Sequence, residues 1–384
     1  MTSNWKECKI EDITDILGDG LHGTPKYTED GKYAFVNGNN LVNGHIEIKP
    51  DTKRVAESEY LKYKKTLNDR TLLVSINGTL GNVAEYNNEK IILGKSACYF
   101  NVKENVSKTF IKYILISKTF QNYLENNATG TTIKNISLKQ MREYEFLLPP
   151  LETQRKIARV LGAIDDKIGL NNSINKNLEQ QAEALYDNLI NENKDSLQEV
   201  SLSDIANITM GQSPDGSSYN ENGMGIVFYQ GRAEFGFRFP TRRLYTTEPK
   251  RMAYYNDILM SVRAPVGDIN VAYEECCIGR GLAAIQSKNN NPSFLLYTMF
   301  NLKKDLNIFN GEGTIFGSIN KDSLNSLKLN IPSNDKVIKF EQIVAPMDKF
   351  IEKNYSEIIR LTQLRDTLIH KLMNGEIDVD KVEV

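Results

Sequence analysis

From Ile157 the apolar residues advance in alternating steps of four and three. They are Ile157, Leu161, Ile164, Ile168, Leu178, Ala182, Leu185 and Leu189, with Asn171 and Asn175 at the intervening seam positions. A second stretch repeats the spacing through Phe340, Val344, Met347, Ile351, Asn354, Ile358, Leu361, Arg365, Leu368 and Leu372. This spacing predicts two long helices, each with an a/d seam of the coiled-coil kind. Elsewhere the apolar runs are short. Leu72–Ile76 and Ile258–Val262 read as buried strands followed by glycine turns. Phe110–Leu124 and Phe294–Leu306 carry helical spacing, and the Asn- and Gly-rich segments Asn37–Gly44 and Gly211–Gly225 read as loops.

The chain is also similar to itself. Glu7-Cys8-Lys9-Ile10-Glu11-Asp12-Ile13 is answered by Glu199-Val200-Ser201-Leu202-Ser203-Asp204-Ile205. Leu73-Val74-Ser75-Ile76 followed by Gly81 is answered by Leu259-Met260-Ser261-Val262 followed by Gly267. Gly94-Lys95 matches Gly279-Arg280, and Gly130-Thr131 matches Gly313-Thr314. From Pro149 and Pro332 onward the two copies align without gaps, and Asn171 falls on Asn354. One unit of globule plus helix is therefore written twice.

A seam needs a partner helix, and the two helices of one chain most simply pair with each other. An antiparallel pair places a globule at each end about a pseudo-twofold axis, whereas a parallel pair places them side by side; the antiparallel arrangement is preferred. The expected class is α+β, with two mixed, strand-rich globules and two long helices. A polar seam residue such as Asn171 or Asn354 costs stability but fixes register.

The composition excludes several classes. The 384 residues are 40% hydrophobic and 25% charged, enough for real cores. No apolar run approaches the roughly 18–20 residues that cross a bilayer, and the first residues lack the apolar core of a signal peptide. Cys8, Cys98, Cys276 and Cys277 have no CxxC spacing and the three histidines are scattered, which points to no metal site and to a reducing cytoplasm.

Catalytic motifs fail on inspection. Gly94-Lys95-Ser96 resembles the end of a phosphate-binding loop, but the glycine required five positions earlier is Glu89. Asn291-Pro292-Ser293-Phe294 approaches the Asn-Pro-Pro-aromatic motif of amino-methyltransferases and departs at its third position. It reads better as a helix cap followed by proline at the first helical position, with Ser107 as its counterpart.

Charge is distributed unevenly beneath a formal net value of -2. Residues 225–263 hold seven Lys and Arg (Arg232, Arg238, Arg242, Arg243, Lys250, Arg251, Arg263) against three acidic residues, interleaved with Phe228, Tyr229, Gln230, Phe235, Phe237 and Phe239. Residues 53–70 hold six (Lys53, Arg54, Lys62, Lys64, Lys65, Arg70) against three. Such clusters suit phosphate contact, with Arg, Gln and Asn able to read base edges.

Leu147-Leu148-Pro149-Pro150-Leu151-Glu152-Thr153-Gln154-Arg155-Lys156-Ile157, continuing through Val160-Leu161, Ile164-Asp165 and Ile168, resembles the specificity subunit of Type I restriction–modification systems. Phe228-Tyr229-Gln230-Gly231 and Ser261-Val262-Arg263-Ala264-Pro265-Val266-Gly267 are phrases typical of its recognition domains, and the resemblance spans essentially the whole chain. The second helix start, Pro332-Ser333-Asn334-Asp335-Lys336-Val337-Ile338-Lys339-Phe340, lacks the Glu-x-Gln-Arg detail. The resemblance implies two target recognition domains, at residues 1–150 and 195–332. It implies spacer helices at 151–194 and 333–375 and a tail at 376–384. It further implies a non-catalytic reader of a split site in double-stranded DNA, working with two methylation subunits and with restriction subunits. S-adenosylmethionine, ATP and magnesium would belong to those partners and none to this chain. The DNA-contact candidates are Asn37, Asn39, Asn77, Lys95, Thr131 and Thr132 in the first domain. In the second they are Tyr229, Gln230, Arg232, Arg242, Arg243, Arg263, Arg280 and Thr314. Arg155, Lys156 and Arg159 are candidate docking residues for the methylation subunits. The 32 steps from Ile157 to Leu189 span about 48 Å, slightly more than one duplex turn, so the helices are expected to act as a ruler.

Overall fold

The computed structural model describes residues 4–306 and 317–382. It divides into two units, one of residues 1–170 with 357–384 and one of residues 171–356. Each therefore contains a globule and half of each long helix.

In the first unit the strands Thr14–Asp19, Ala97–Val102, Thr71–Ser75 and Val83–Glu85 form an antiparallel sheet in that order. A three-stranded sheet pairs Tyr33–Val36 antiparallel with Arg54–Val55 and parallel with Ile91–Leu93. A short ladder joins Lys6–Lys9 to Glu145–Leu148. The strand Thr71–Ser75 is buried along its whole length because its two faces serve two cores. Leu72 and Val74 pack with the helices, while Leu73 packs with Ala34, Val36 and Leu93.

The second unit repeats this plan. Ala206–Met210, Leu282–Ser287, Ile258–Ser261 and Ile269–Val271 form the four-stranded antiparallel sheet. Ile226–Tyr229 runs parallel to Cys276–Ile278 within a five-stranded sheet. Ile258 and Met260 face one core and Leu259 the other. The internal repeat is therefore a repeat of topology as well as of sequence, and register differs where the first unit has a bulge between Asn101 and Val102 that the second lacks.

The helical expectation over Phe110–Leu124 needs one correction. The segment is two helices, Lys108–Ile116 and Lys118–Asn127, because Ser117 is extended and its Oγ caps the second by accepting from Phe120 N at 3.3 Å. The second copy is one helix, Pro292–Leu306.

The long helices run from Leu151 to Glu192 and from Asn334 to Met373. In the first unit Ile157 and Leu161, near the start of one, share a core with Ile369 and Leu372, near the end of the other. In the second unit Ala182 and Tyr186, near the end of the first helix, pack with Phe340 and Val344 at the start of the second. Both units thus show the helices antiparallel. The seam is buried or half-buried at Ile157, Leu161, Ile164, Ile168, Asn171, Leu178, Leu185, Phe340, Val344, Met347, Ile351, Asn354, Leu361 and Leu368. The buried stripe is wider than a two-stranded seam where the helices lean on a globule. There Gln154, Val160, Tyr186 and Ile369 are buried as well. Asn354 donates from Nδ2 to Asn175 Oδ1 at 2.8 Å, so its hydrogen-bond partner is Asn175. The counterpart of Asn175 is Ile358, and this pair consequently has no copy.

Candidate nucleic-acid interface

Four loops of the first unit are tied edge to edge. Gly94 N donates to Val36 O at 2.8 Å, which seats the Gly94-Lys95-Ser96 turn against Asn37. Ser96 Oγ accepts from Gly38 N at 2.9 Å and donates to Asn37 Oδ1 at 3.0 Å. Ser96 O in turn accepts from Ile76 N, and Ile76 O accepts from Ile136 N, both at 2.9 Å. Gly78 N donates to Lys134 O at 3.0 Å, and Asn77 Nδ2 donates to Asn135 Oδ1 at 3.1 Å. The close approach depends on glycine, since a Cβ on Gly94 would stand 2.1 Å from Asn37 Oδ1. Asn37, Asn77, Lys95 and the 129–136 loop carrying Thr131 and Thr132 are therefore brought together. Asn39, Lys95, Thr131 and Thr132 are exposed, whereas Asn37 and Asn77 are half-buried with their amides in use.

The second unit builds the same frame. Gly279 N donates to Tyr229 O at 2.8 Å, Val262 N to Gly281 O at 2.9 Å, and Ile319 N to Val262 O at 3.1 Å. Ala264 N donates to Gly317 O at 2.9 Å. These bonds place Gln230 where the first unit has Asn37, Arg263 where it has Asn77, and Arg280 where it has Lys95. Gln230, Arg263 and Arg280 are exposed. Thr314 lies outside the described residues. Tyr229 is core rather than surface: its ring is 2% exposed and belongs to the cluster of Leu259 and Ile278, because the strand that ends there turns it inward. Burial also holds its hydroxyl well above the ordinary tyrosine value.

The basic stretch at 225–263 is largely neutralised. Arg232 pairs with Asp268, Arg242 with Glu274 and Arg243 with Glu234. Arg238 is 3% exposed and does not face solvent at all. Its guanidinium donates to Glu179 Oε2 at 2.8 Å, Asp348 Oδ1 at 2.8 Å and Tyr297 Oη at 3.1 Å, joining the globule to both long helices. The stretch at 53–70 is likewise part structural, since Arg70 donates to the carbonyls of Val102 and Lys103. Among the described residues, no ion pair involves Lys95, Lys250, Arg251, Arg263 or Arg280. Arg251 lies opposite Ile278, whose N–H donates to its carbonyl at 2.9 Å.

Gly94-Lys95-Ser96 is a turn between the strands Ile91–Leu93 and Ala97–Val102 and opens no helix, so it lacks the frame of a phosphate-binding loop. The helix starting at Pro292 has the amides of Ser293 and Phe294 satisfied by Glu341, at 3.2 and 2.9 Å. At the first copy Ser107 Oγ accepts from Phe110 N, and Ser107 N donates to Gln154. Gln154, buried at 2%, also donates to Pro149 O at 2.8 Å. Sequence reasoning gave Gln154 no role; its structural task is to hold the helix start to the globule. All four cysteines are free thiols, and among the described residues no cluster of three or more His, Cys, Asp or Glu could hold a metal ion. No described helix is long and apolar enough to cross a membrane.

The sequence profile of the Type I restriction modification DNA specificity domain matches residues 2–180 and again 194–364. A Methanocaldococcus jannaschii protein named as the MjaX specificity subunit of a type I restriction enzyme is 29% identical, over 98% of this chain and 94% of its own length. The MjaIX specificity subunit of the same organism is 22% identical over 99% and 95%. The crystal structure of a Type-I restriction-modification system S subunit from M. genitalium superposes with a TM-score of 0.58 at 21% identity, covering 96% of both chains. That likeness is one of fold.

Proposed function

Because the chain belongs to the Type I restriction–modification DNA specificity family, we propose that its two loop clusters read the two halves of a split target in double-stranded DNA. Specificity subunits are non-catalytic, and the chemistry lies in partner chains. One observation carries the reading: the same hydrogen-bonded frame occurs in both units, with Asn37 and Gln230, Asn77 and Arg263, and Lys95 and Arg280 at equivalent places. Amide and guanidinium groups suit base edges, and exposed cations and hydroxyls suit phosphates.

On this reading two methylation subunits dock on the long helices, and restriction subunits join them. S-adenosylmethionine, ATP and magnesium are held by those partners. Arg155 and Arg159 are exposed on the first helix and are the docking candidates. Lys156 is engaged with Asp380 at 2.7 Å, which ties the C-terminal segment to that helix.

Single-molecule sequencing of DNA from cells with and without this chain tests the proposal. The expected result is a two-part methylated motif present only with the chain. A methylation map unchanged by its removal would overturn the reading.

A further inference from the structure

We infer that Arg263 is a specificity-determining residue of the second unit, and that its counterpart Asn77 serves the first unit as a loop tie. The inference rests on the DNA-reading role proposed above. Both residues occupy one backbone frame. Asn77 follows Ile76, whose N–H and C=O are bonded to Ser96 and Ile136, and it bridges Asn135. Arg263 follows Val262, whose N–H and C=O are bonded to Gly281 and Ile319, and it bridges Ser318.

The side chains on that frame differ in pairs. Asn77 meets Asn135, and the two amides are joined at 3.1 Å, which uses the Asn77 donor inside the loop cluster. At the second site the opposing residue is Ser318, with a side chain of only two heavy atoms. Arg263 is exposed, and no described side chain accepts from its guanidinium. Val262 is 3% exposed and anchors the preceding position in the core, so the extended backbone turns Arg263 outward. The result is a planar, always-charged fork on a backbone held from both sides.

A fork of this kind is built to donate two parallel hydrogen bonds to a base edge, and guanine O6 and N7 are its best match. A lysine keeps the charge but cannot make the paired contact. This separates a base-reading role from phosphate contact.

The test uses the complete complex with its methylation partners. Three variants are compared with the parent: Arg263→Ala, Arg263→Lys, and the double change Arg263→Asn with Ser318→Asn. The last installs a pair the fold already carries in its first unit, which guards against a mere folding defect. Methylated motifs are mapped in cells, and competition binding is measured with duplexes carrying each base at every position of the motif. In all three variants, one position of one half-site is expected to lose about ten- to hundredfold of its discrimination, the other half-site remaining unchanged. Full discrimination in Arg263→Lys would make the residue a phosphate contact and overturn the inference. An unchanged motif in the double variant would overturn it too. A parent chain that directs no two-part motif removes the DNA-reading role itself, an outcome visible before any variant is made.

Discussion

The Tyr113 hydroxyl donates to Asp165 Oδ2 at 2.7 Å, joining a short helix of the first globule to the first long helix. Tyr297 repeats the bond to Asp348 Oδ1 at 2.9 Å in the second unit. The charge compensation differs between the copies. Asp165 is met by Arg365 from the second long helix, and Asp348 by Arg238 from the globule. Removing one hydroxyl from a charged acceptor costs about 1.5–3 kcal/mol. Tyr113→Phe and Tyr297→Phe should each lower the melting temperature while leaving the circular dichroism of the fold intact. An unchanged melting temperature in both variants would show the two bonds to be incidental.

Asn175 and Asn354 form a buried pair, 3% and 4% exposed. Asn354→Leu alone strands the Asn175 carbonyl oxygen away from water, at a cost of about 1–3 kcal/mol. Changing both residues to leucine restores an apolar seam and should recover the melting temperature or exceed the parent value. A double variant no better than the single one would contradict this account.

The Glu341 carboxylate accepts from Ser293 and Phe294, yet burial, followed among the raising influences by Asp348, holds it above its ordinary value of 4.5. The folded chain therefore keeps this proton where the unfolded chain releases it. The associated stability is whole below about pH 4.5 and is lost as pH rises through the folded value. Glu341→Gln keeps one oxygen to accept from these amides, exchanges the other for an NH2 group, and never ionises. Its melting temperature relative to the parent should therefore climb from about pH 4.5 to about pH 7. Calorimetric scans across that range would expose a flat difference, the result that contradicts the assignment.

Seven residues inserted into each long helix add about 10 Å of helix, close to three base pairs at roughly 3.4 Å each. The methylated motif is expected to keep both half-sites and to lengthen the gap between them. An unchanged gap would end the ruler hypothesis.

The elements that were legible in the sequence are those whose signal is local. Alternating steps of four and three marked both long helices, and unbroken apolar runs marked Leu72–Ile76 and Ile258–Val262. The repeat placed Lys95 opposite Arg280 before any fold was visible. Arg238 was illegible because its carboxylates lie 59 and 110 residues away in the chain. A count of charge in a window cannot see such partners, and the same blindness made Arg232 and Arg242 look unpaired, since Asp268 and Glu274 lie outside the counted stretch. Tyr229 was misjudged for a related reason: a strand end and the loop after it are adjacent in sequence but face opposite ways.

The division of the chain also sets an order of events on the ribosome. Residues 171–356 are one continuous stretch, so the second unit can finish folding as soon as it has been synthesised. The first unit cannot, because Ile369, Leu372, Met373 and Val379 complete the core begun by Ile10 and Phe110. Glu357 follows Leu170 by 187 positions, about ten to forty seconds of translation at roughly 5–20 residues per second. Throughout that interval Ile157, Leu161 and the face of the first globule await their covering segment, and the half made first is the half finished last.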